Sequence, residues 1–222
     1  MKPKSTPSAP KVLAPIGAHP ARLSQIIILG TQVNQAYPDS TPSEKIKLVF
    51  ELVNTDYEFN KEKGLQPFQV SIKETFSLGD KANLKKHIES WLGKPLTKEI
   101  VDNFDMVKFL KKVPCQVVIT HVPKKKDPSV KYEKVMSIIP HTGEKPRQLR
   151  NPTFVFSMDS STPCIYNDQE ISITEAFKHL TSWDQKDVEA SPEWKALLSS
   201  GGATSSAPAV ASNDDDDEDA PY

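Results

Sequence analysis

No apolar run in this 222-residue chain approaches the ~18 positions that a membrane-crossing helix needs. Cysteine is almost missing: Cys115 and Cys164 are the two present, each in an apolar, strand-like setting. Neither has a CxxC partner, so the pair reads as two buried thiols of a reducing compartment and not as a disulfide framework. The five histidines, His19, His87, His121, His141 and His179, include no i, i+4 pair and no other common metal-ligand separation. GxGxxG, a P-loop, GxSxG and HExxH are all lacking. His121, in a strand near Cys115, reads as a satisfied structural residue. Asp102 and Asp105, beside a helix end, read as caps or surface charges. No catalysis, metal or cofactor is therefore expected. Apolar residues make up 37% of the chain. Mean hydropathy is -0.48, low for a compact enzyme, because both ends are polar and of low complexity.

What is present begins at those ends. Residues 1–20 carry Pro3, Pro7, Pro10, Pro15 and Pro20 with Lys2, Lys4 and Lys11. That composition predicts an extended, flexible basic arm, and the missing apolar h-region argues against a secretion signal. Residues 199–222 form a Ser/Ala/Gly-rich linker followed by Asp214, Asp215, Asp216, Asp217, Glu218 and Asp219, then Ala220-Pro221-Tyr222. Mutual repulsion keeps such a run from packing, so it reads either as a solubilising tail or as a tethered ligand for a partner. The whole chain balances 28 Lys+Arg against 29 Asp+Glu, for a net charge of -1; without the six tail acids, 28 stand against 23, a body of +5. A basic body with an acidic end suits a protein that holds a polyanion and carries a polyanion mimic.

Between the tails, residues 21–198 are expected to form one domain. The run Ile26-Ile27-Ile28-Leu29 is short enough for a buried strand. After a turn cluster at 37–43, Ile46, Leu48, Phe50 and Leu52 alternate with Lys45, Lys47, Val49, Glu51 and Val53, as in a strand buried on one face. Residues 54–67 read as a polar loop, and Phe68, Val70 and Ile72 point inward from a third strand. At Asp80 the period changes to 3.6, predicting a helix capped by Asp80, striped by Leu84, Ile88, Trp91 and Leu92, and ended by Gly93. Thr97 offers a second N-cap, and 106–110 suggests a short turn. Strands at 115–122 and 132–139 follow, separated by a loop with Lys124, Lys125 and Lys126. Three strands, a helical segment and two strands is the succession of an OB-fold, so the expectation is a mainly β protein with an OB-fold-like five-stranded barrel. A small C-terminal α/β appendage would follow, with a strand in 152–158, helices at 174–180 and from Ser191, and Trp183 and Trp194 anchoring it.

In that fold, strands two and three and the first and fourth loops hold oligonucleotides. The candidate DNA-binding residues are accordingly Lys45, Lys47, Lys73, Lys124, Lys125, Lys126 and Lys131, with Tyr57, Phe59 and Tyr132 as rings on which bases could stack. The bland alternatives are a solvated loop for Lys124, Lys125 and Lys126 and core packing for Phe59. Phe50, Phe68 and Trp91 fall on inward faces.

The stretch His19-Pro20-Ala21-Arg22-Leu23 leading into Ile28-Leu29-Gly30-Thr31-Gln32 resembles small tailed-phage proteins encoded in replication modules. So does Phe76-Ser77-Leu78-Gly79-Asp80-Lys81-Ala82-Asn83-Leu84-Lys85-Lys86 with Glu89-Ser90-Trp91. The tail is similar in design to those of bacterial and phage single-stranded-DNA-binding proteins, although it ends in Pro-Tyr where many of those end in Phe. The resemblance implies non-sequence-specific binding of single-stranded DNA during phage replication or recombination, in the cytoplasm of the infected bacterial host. It also implies that Asp214 to Asp219 and Tyr222 recruit replication or recombination proteins and compete with DNA, with no membrane involved. The alternative expectation is a protein–protein adaptor or replication-initiation accessory without direct DNA binding.

Overall fold

The computed structural model of the protein describes residues 12–34, 37–109, 112–125 and 127–200. The expected DNA contact Lys126 and the expected partner-binding residues Asp214 to Asp219 and Tyr222 lie outside them. The spine of the fold is β1 (Gly17–Gln32). Along one edge it pairs antiparallel with β2 (Ser43–Asn60). Along the other it changes partner: Gly17 to Arg22 lie antiparallel to β4 (Pro114–Pro123), and Gln25 to Ile27 lie parallel to β6 (Phe154–Phe156). The switch falls at Ser24, where the register against β2 slips by one residue and the Ser24 hydroxyl donates to the Val49 carbonyl at 3.0 Å. A bulge bends a strand and reverses its side-chain phase. Ala21 and Leu23 therefore point into the same core as Ile26, while Ile27 and Leu29 point into a second one. Burial on both faces is why the run Ile26-Ile27-Ile28-Leu29 is apolar without alternation.

The first core is built by β1, β2, β3 (Gly64–Thr75), β4 and β5 (Lys131–Pro140) around α1 (Asn83–Leu92). Its strand order is β3-β2-β1-β4-β5. Leu84, Ile88 and Trp91 of α1 meet the sheet, and the Trp91 ring stands edge-on to Phe50 at 5.6 Å. Phe50, Phe68 and Trp91 are all buried, on the inward faces their spacing indicated. Gly93 ends α1 in the left-handed conformation. The expected cap at its start is corrected: Ala82 holds the N-cap position without a side-chain bond, and Asp80 instead pairs with Lys85 at 2.7 Å. Thr97 does cap α2 (Lys98–Asp102), and a 3-10 turn follows at Met106–Phe109. The Cα atoms of β3 and β5 come within 8 Å of each other, but the strands share no ladder.

Beyond β6 the sheet continues through β7 (Cys164–Tyr166) and β8 (Gln169–Ile171). The molecule is thus mainly β, with one mixed, open eight-stranded sheet and few helices. Helices α3 (Ile173–Lys178), α4 (Ser182–Ala190) and α5 (Pro192–Ser199) close the second core over Ile27, Leu29 and Val49. Pro192 stands in the first turn of α5 behind its cap Ser191. Trp194 anchors that core, stacked on Phe177 at 4.5 Å, whereas Trp183 is half-exposed and carries Lys186 over its ring, so its expected anchoring role is corrected. At the join, Thr31 donates its backbone N–H to Glu193 at 3.0 Å. Gly30 is required there. Its φ is +76°, and a Cβ would stand 2.6 Å from Ser191 Cβ.

Two boundaries also shift. Gly17 to Pro20, which composition assigned to the arm, are part of β1 because β4 pairs with them. The expected polar loop at 54–67 is mostly strand: β2 runs to Asn60 and β3 starts at Gly64, making a projecting hairpin. Both cysteines are free and buried, and burial raises the pKa of each thiol. Among the described residues no helix is long and apolar enough to cross a membrane.

Candidate nucleic-acid interface

The outward face of β2 and β3 carries the candidate lysines. Lys45 lies opposite Thr75 and donates to its hydroxyl at 2.9 Å; Lys47 lies directly opposite Lys73. Like charges facing each other across a ladder repel, and α4 resolves the conflict from above. Asp184 and Asp187, one turn apart on α4, lie on the same face of that helix. Asp184 holds Lys47 at 2.8 Å through both oxygens, and Asp187 holds Lys73 at 2.8 Å. The Asp184 side chain is 4% exposed and also accepts from Thr181, the cap of its own helix. Lys47 is therefore largely committed, while the Lys73–Asp187 pair is more than one-third open to water.

Beside this face, the unpaired edges of β3 and β5 border a cleft of about 280 Å³. Lys45, Lys73, Tyr132 and Lys134 line it, together with Val33 and Asn34 from the β1–β2 loop. Glu74, Glu133 and Asp187 also line it, so the charge is mixed. Lys134 was passed over in the sequence, although it alternates outward along β5 with Tyr132. The β4–β5 hairpin leads into the cleft through the pairs Val122–Tyr132 and Pro123–Lys131. Its loop is folded on itself: Asp127 accepts from the Ser129 hydroxyl at 2.6 Å, and Lys124 N–H donates to the Val130 carbonyl at 2.8 Å. Lys125 and Lys131 project into solvent from that loop and the strand after it, and Lys124 is half-buried.

Tyr57 and Phe59 are not in this group. They sit in the projecting hairpin, separated from Lys45 by at least twelve residues of β2, or roughly 40 Å along the strand at ~3.3 Å per residue. Their rings pack edge-on to each other at 5.1 Å and both lean on Phe68, so Phe59 has a packing role. Arg147 and Arg150 flank the hairpin and share Asp56, at 2.6 and 3.1 Å. Buried Glu51 accepts from the backbone N–H groups of Arg150 and Asn151, each at 2.9 Å, which pins that loop to β2. No periodicity could have placed these two arginines, because the contacts span more than ninety residues.

His121 Nε2 donates to the Ala14 carbonyl at 2.7 Å, Asp102 pairs with Lys98, and Asp105 accepts from the Val107 N–H, each a structural assignment. Among the described residues, no three His, Cys, Asp or Glu side chains converge as metal ligands would. Compared with known protein families, with curated proteins and with solved structures, the chain matches none.

Proposed function

We propose that this chain binds single-stranded DNA without sequence preference, and that β1 to β5 with α1 act as a partly open OB-like barrel. The strand order β3-β2-β1-β4-β5, with the helix between β3 and β4, favours that reading. The observation that carries the function is the cleft: Lys45, Lys73, Lys134 and Tyr132 converge between two strand edges, next to the β1–β2 and β4–β5 loops. Cations follow phosphates and a ring face accepts a base, which is the mixture that single-strand binding uses. Lys124, Lys125, Lys126 and Lys131 would extend the phosphate track. In the setting suggested by the resemblance, this is a phage replication or recombination protein of the host cytoplasm, with its acidic tail recruiting partners.

Titration of labelled oligo-dT at several salt concentrations tests this. Four to six phosphate contacts give a log K against log[salt] slope of roughly -3 to -4 on a single strand. Single strands should bind far better than duplex of equal length, because only unpaired bases offer their faces. Equal affinity for the two forms counts against the cleft. The adaptor reading keeps one specific support: Lys47 and Lys73 already hold carboxylates of α4. It predicts no binding of oligo-dT even at low salt.

A further inference from the structure

We propose that Tyr37 is a second base-stacking residue of the strand site, carried by the β1–β2 loop whose residues Val33 and Asn34 line the cleft; this rests on the strand-binding reading above. The turn that bears Tyr37 is tied to that lining, because Tyr37 N–H donates to the Asn34 carbonyl at 3.0 Å. The Tyr37 carbonyl in turn accepts from the Ser40 N–H at 2.9 Å and from its hydroxyl at 2.7 Å. The backbone is therefore pinned on both sides of the residue. Tyr37 is 71% exposed, the most open of the large apolar and aromatic residues described.

Three other open rings, Tyr57, Phe59 and Trp183, have something to lie against. Tyr57 and Phe59 lean on Phe68, and Trp183 lies under Lys186. Tyr37 has no ring contact or overlying cation among the described residues. With its backbone already held by hydrogen bonds, Tyr37 gives up side-chain freedom alone when a base covers its ring. Stacking tolerates any base, consistent with binding that ignores sequence. Tyr37 and Tyr132 would then stack bases at the loop end and on the β5 side of one cleft, with Lys45 and Lys134 reading the phosphates between.

Oligo-dT titrations of wild type, Tyr37→Ala, Tyr37→Phe and Tyr132→Ala, each at low and high salt, test the assignment. Tyr37→Ala should weaken binding about 5- to 150-fold, the range for losing one stacked base, with the salt slope unchanged because stacking releases no counterions. Tyr37→Phe should bind like wild type, and strands carrying 5-iododeoxyuridine should photocrosslink to the Tyr37 peptide. An unfolding midpoint equal to wild type shows that Tyr37→Ala is folded. Wild-type affinity in Tyr37→Ala, with affinity lost in Tyr132→Ala, overturns the Tyr37 assignment alone. Failure of the wild type to bind oligo-dT overturns the strand-binding reading and this inference together.

Discussion

Lys47 and Lys73 face each other across one ladder yet differ in what their removal should cost. Lys47→Met strands Asp184, which is 4% exposed, and should lower stability by about 2–3 kcal/mol, slightly less than a fully buried pair because Lys47 itself keeps some contact with water. Lys73→Met breaks a solvated pair and should cost under about 1 kcal/mol. Urea unfolding of the two variants measures the contrast. Gly30→Ala adds a left-handed alanine whose Cβ collides with Ser191, and should cost about 3 kcal/mol, seen as a lower midpoint at unchanged m-value. Glu193 carries a pH signature. Burial pushes its carboxyl up, but donation from Thr31 and from nearby N–H groups outweighs this and holds it below the usual glutamate range. A folded pKa below the unfolded one, ~4.3, means that Glu193 stabilises the protein above that pH and ceases to do so as the pH falls through the folded value. The stability gap between wild type and Glu193→Gln should accordingly be full at neutral pH and shrink under acid.

At the scale of elements, the β4–β5 hairpin and the β2–β3 hairpin should behave differently. Neutralising Lys124, Lys125 and Lys126 together should weaken oligo-dT binding for every sequence and flatten the salt slope by up to about 0.7 per lysine engaged. Tyr57→Ala should weaken it much less than Tyr132→Ala, since Tyr57 stands at the far end of β2 among its own aromatic neighbours. Much of the element pattern was legible from residues. Alternation at Ile46 to Leu52, the helical stripe ending at Gly93, and Ser191-Pro192 at a helix start each reflect a local rule that tertiary packing left intact. The projecting hairpin was hidden because Asn54, Asp56, Glu58 and Asn60 suit a loop as well as a solvated strand. Two further elements left signals that were passed over. Thr181 three residues before Asp184 is a capping pattern for α4, and Asn167-Asp168 is a two-residue hairpin turn, with φ of 49° and 66°, joining β7 to β8. The cleft itself was only half legible: Lys45, Lys73 and Tyr132 follow from strand phase, but the grip of α4 on Lys47 joins residues 137 apart, beyond any local rule.

At the scale of the whole molecule, charge is divided between a body of +5 and the six-acid run of a chain whose net charge is -1. A Ser/Ala/Gly-rich segment of about 15 residues precedes the acids in sequence, and on the strand-binding proposal a tether of that length and composition would hold them near the body at an effective concentration in the millimolar range. Deleting residues 213–222 should tighten oligo-dT binding at low salt, with the gain shrinking as ions screen both sides. Parallel titrations of the full and shortened chains read this directly.

The double allegiance of β1 also sets a timetable for synthesis. Its partners on one face are made early, but Phe154 to Phe156, which pair with Gln25 to Ile27, and Glu193, which receives Thr31, leave the ribosome well over a hundred residues later. The first core is complete only with β5 at Pro140 and the second with Trp194, so at about 5–20 residues per second the outer face of Ile27, Leu29 and Val49 waits roughly 3 to 11 seconds longer for its cover. For that interval the nascent chain holds a sheet with one finished side and one adhesive side, and any pause in translating residues 141–200 lengthens its exposure to neighbouring chains and chaperones.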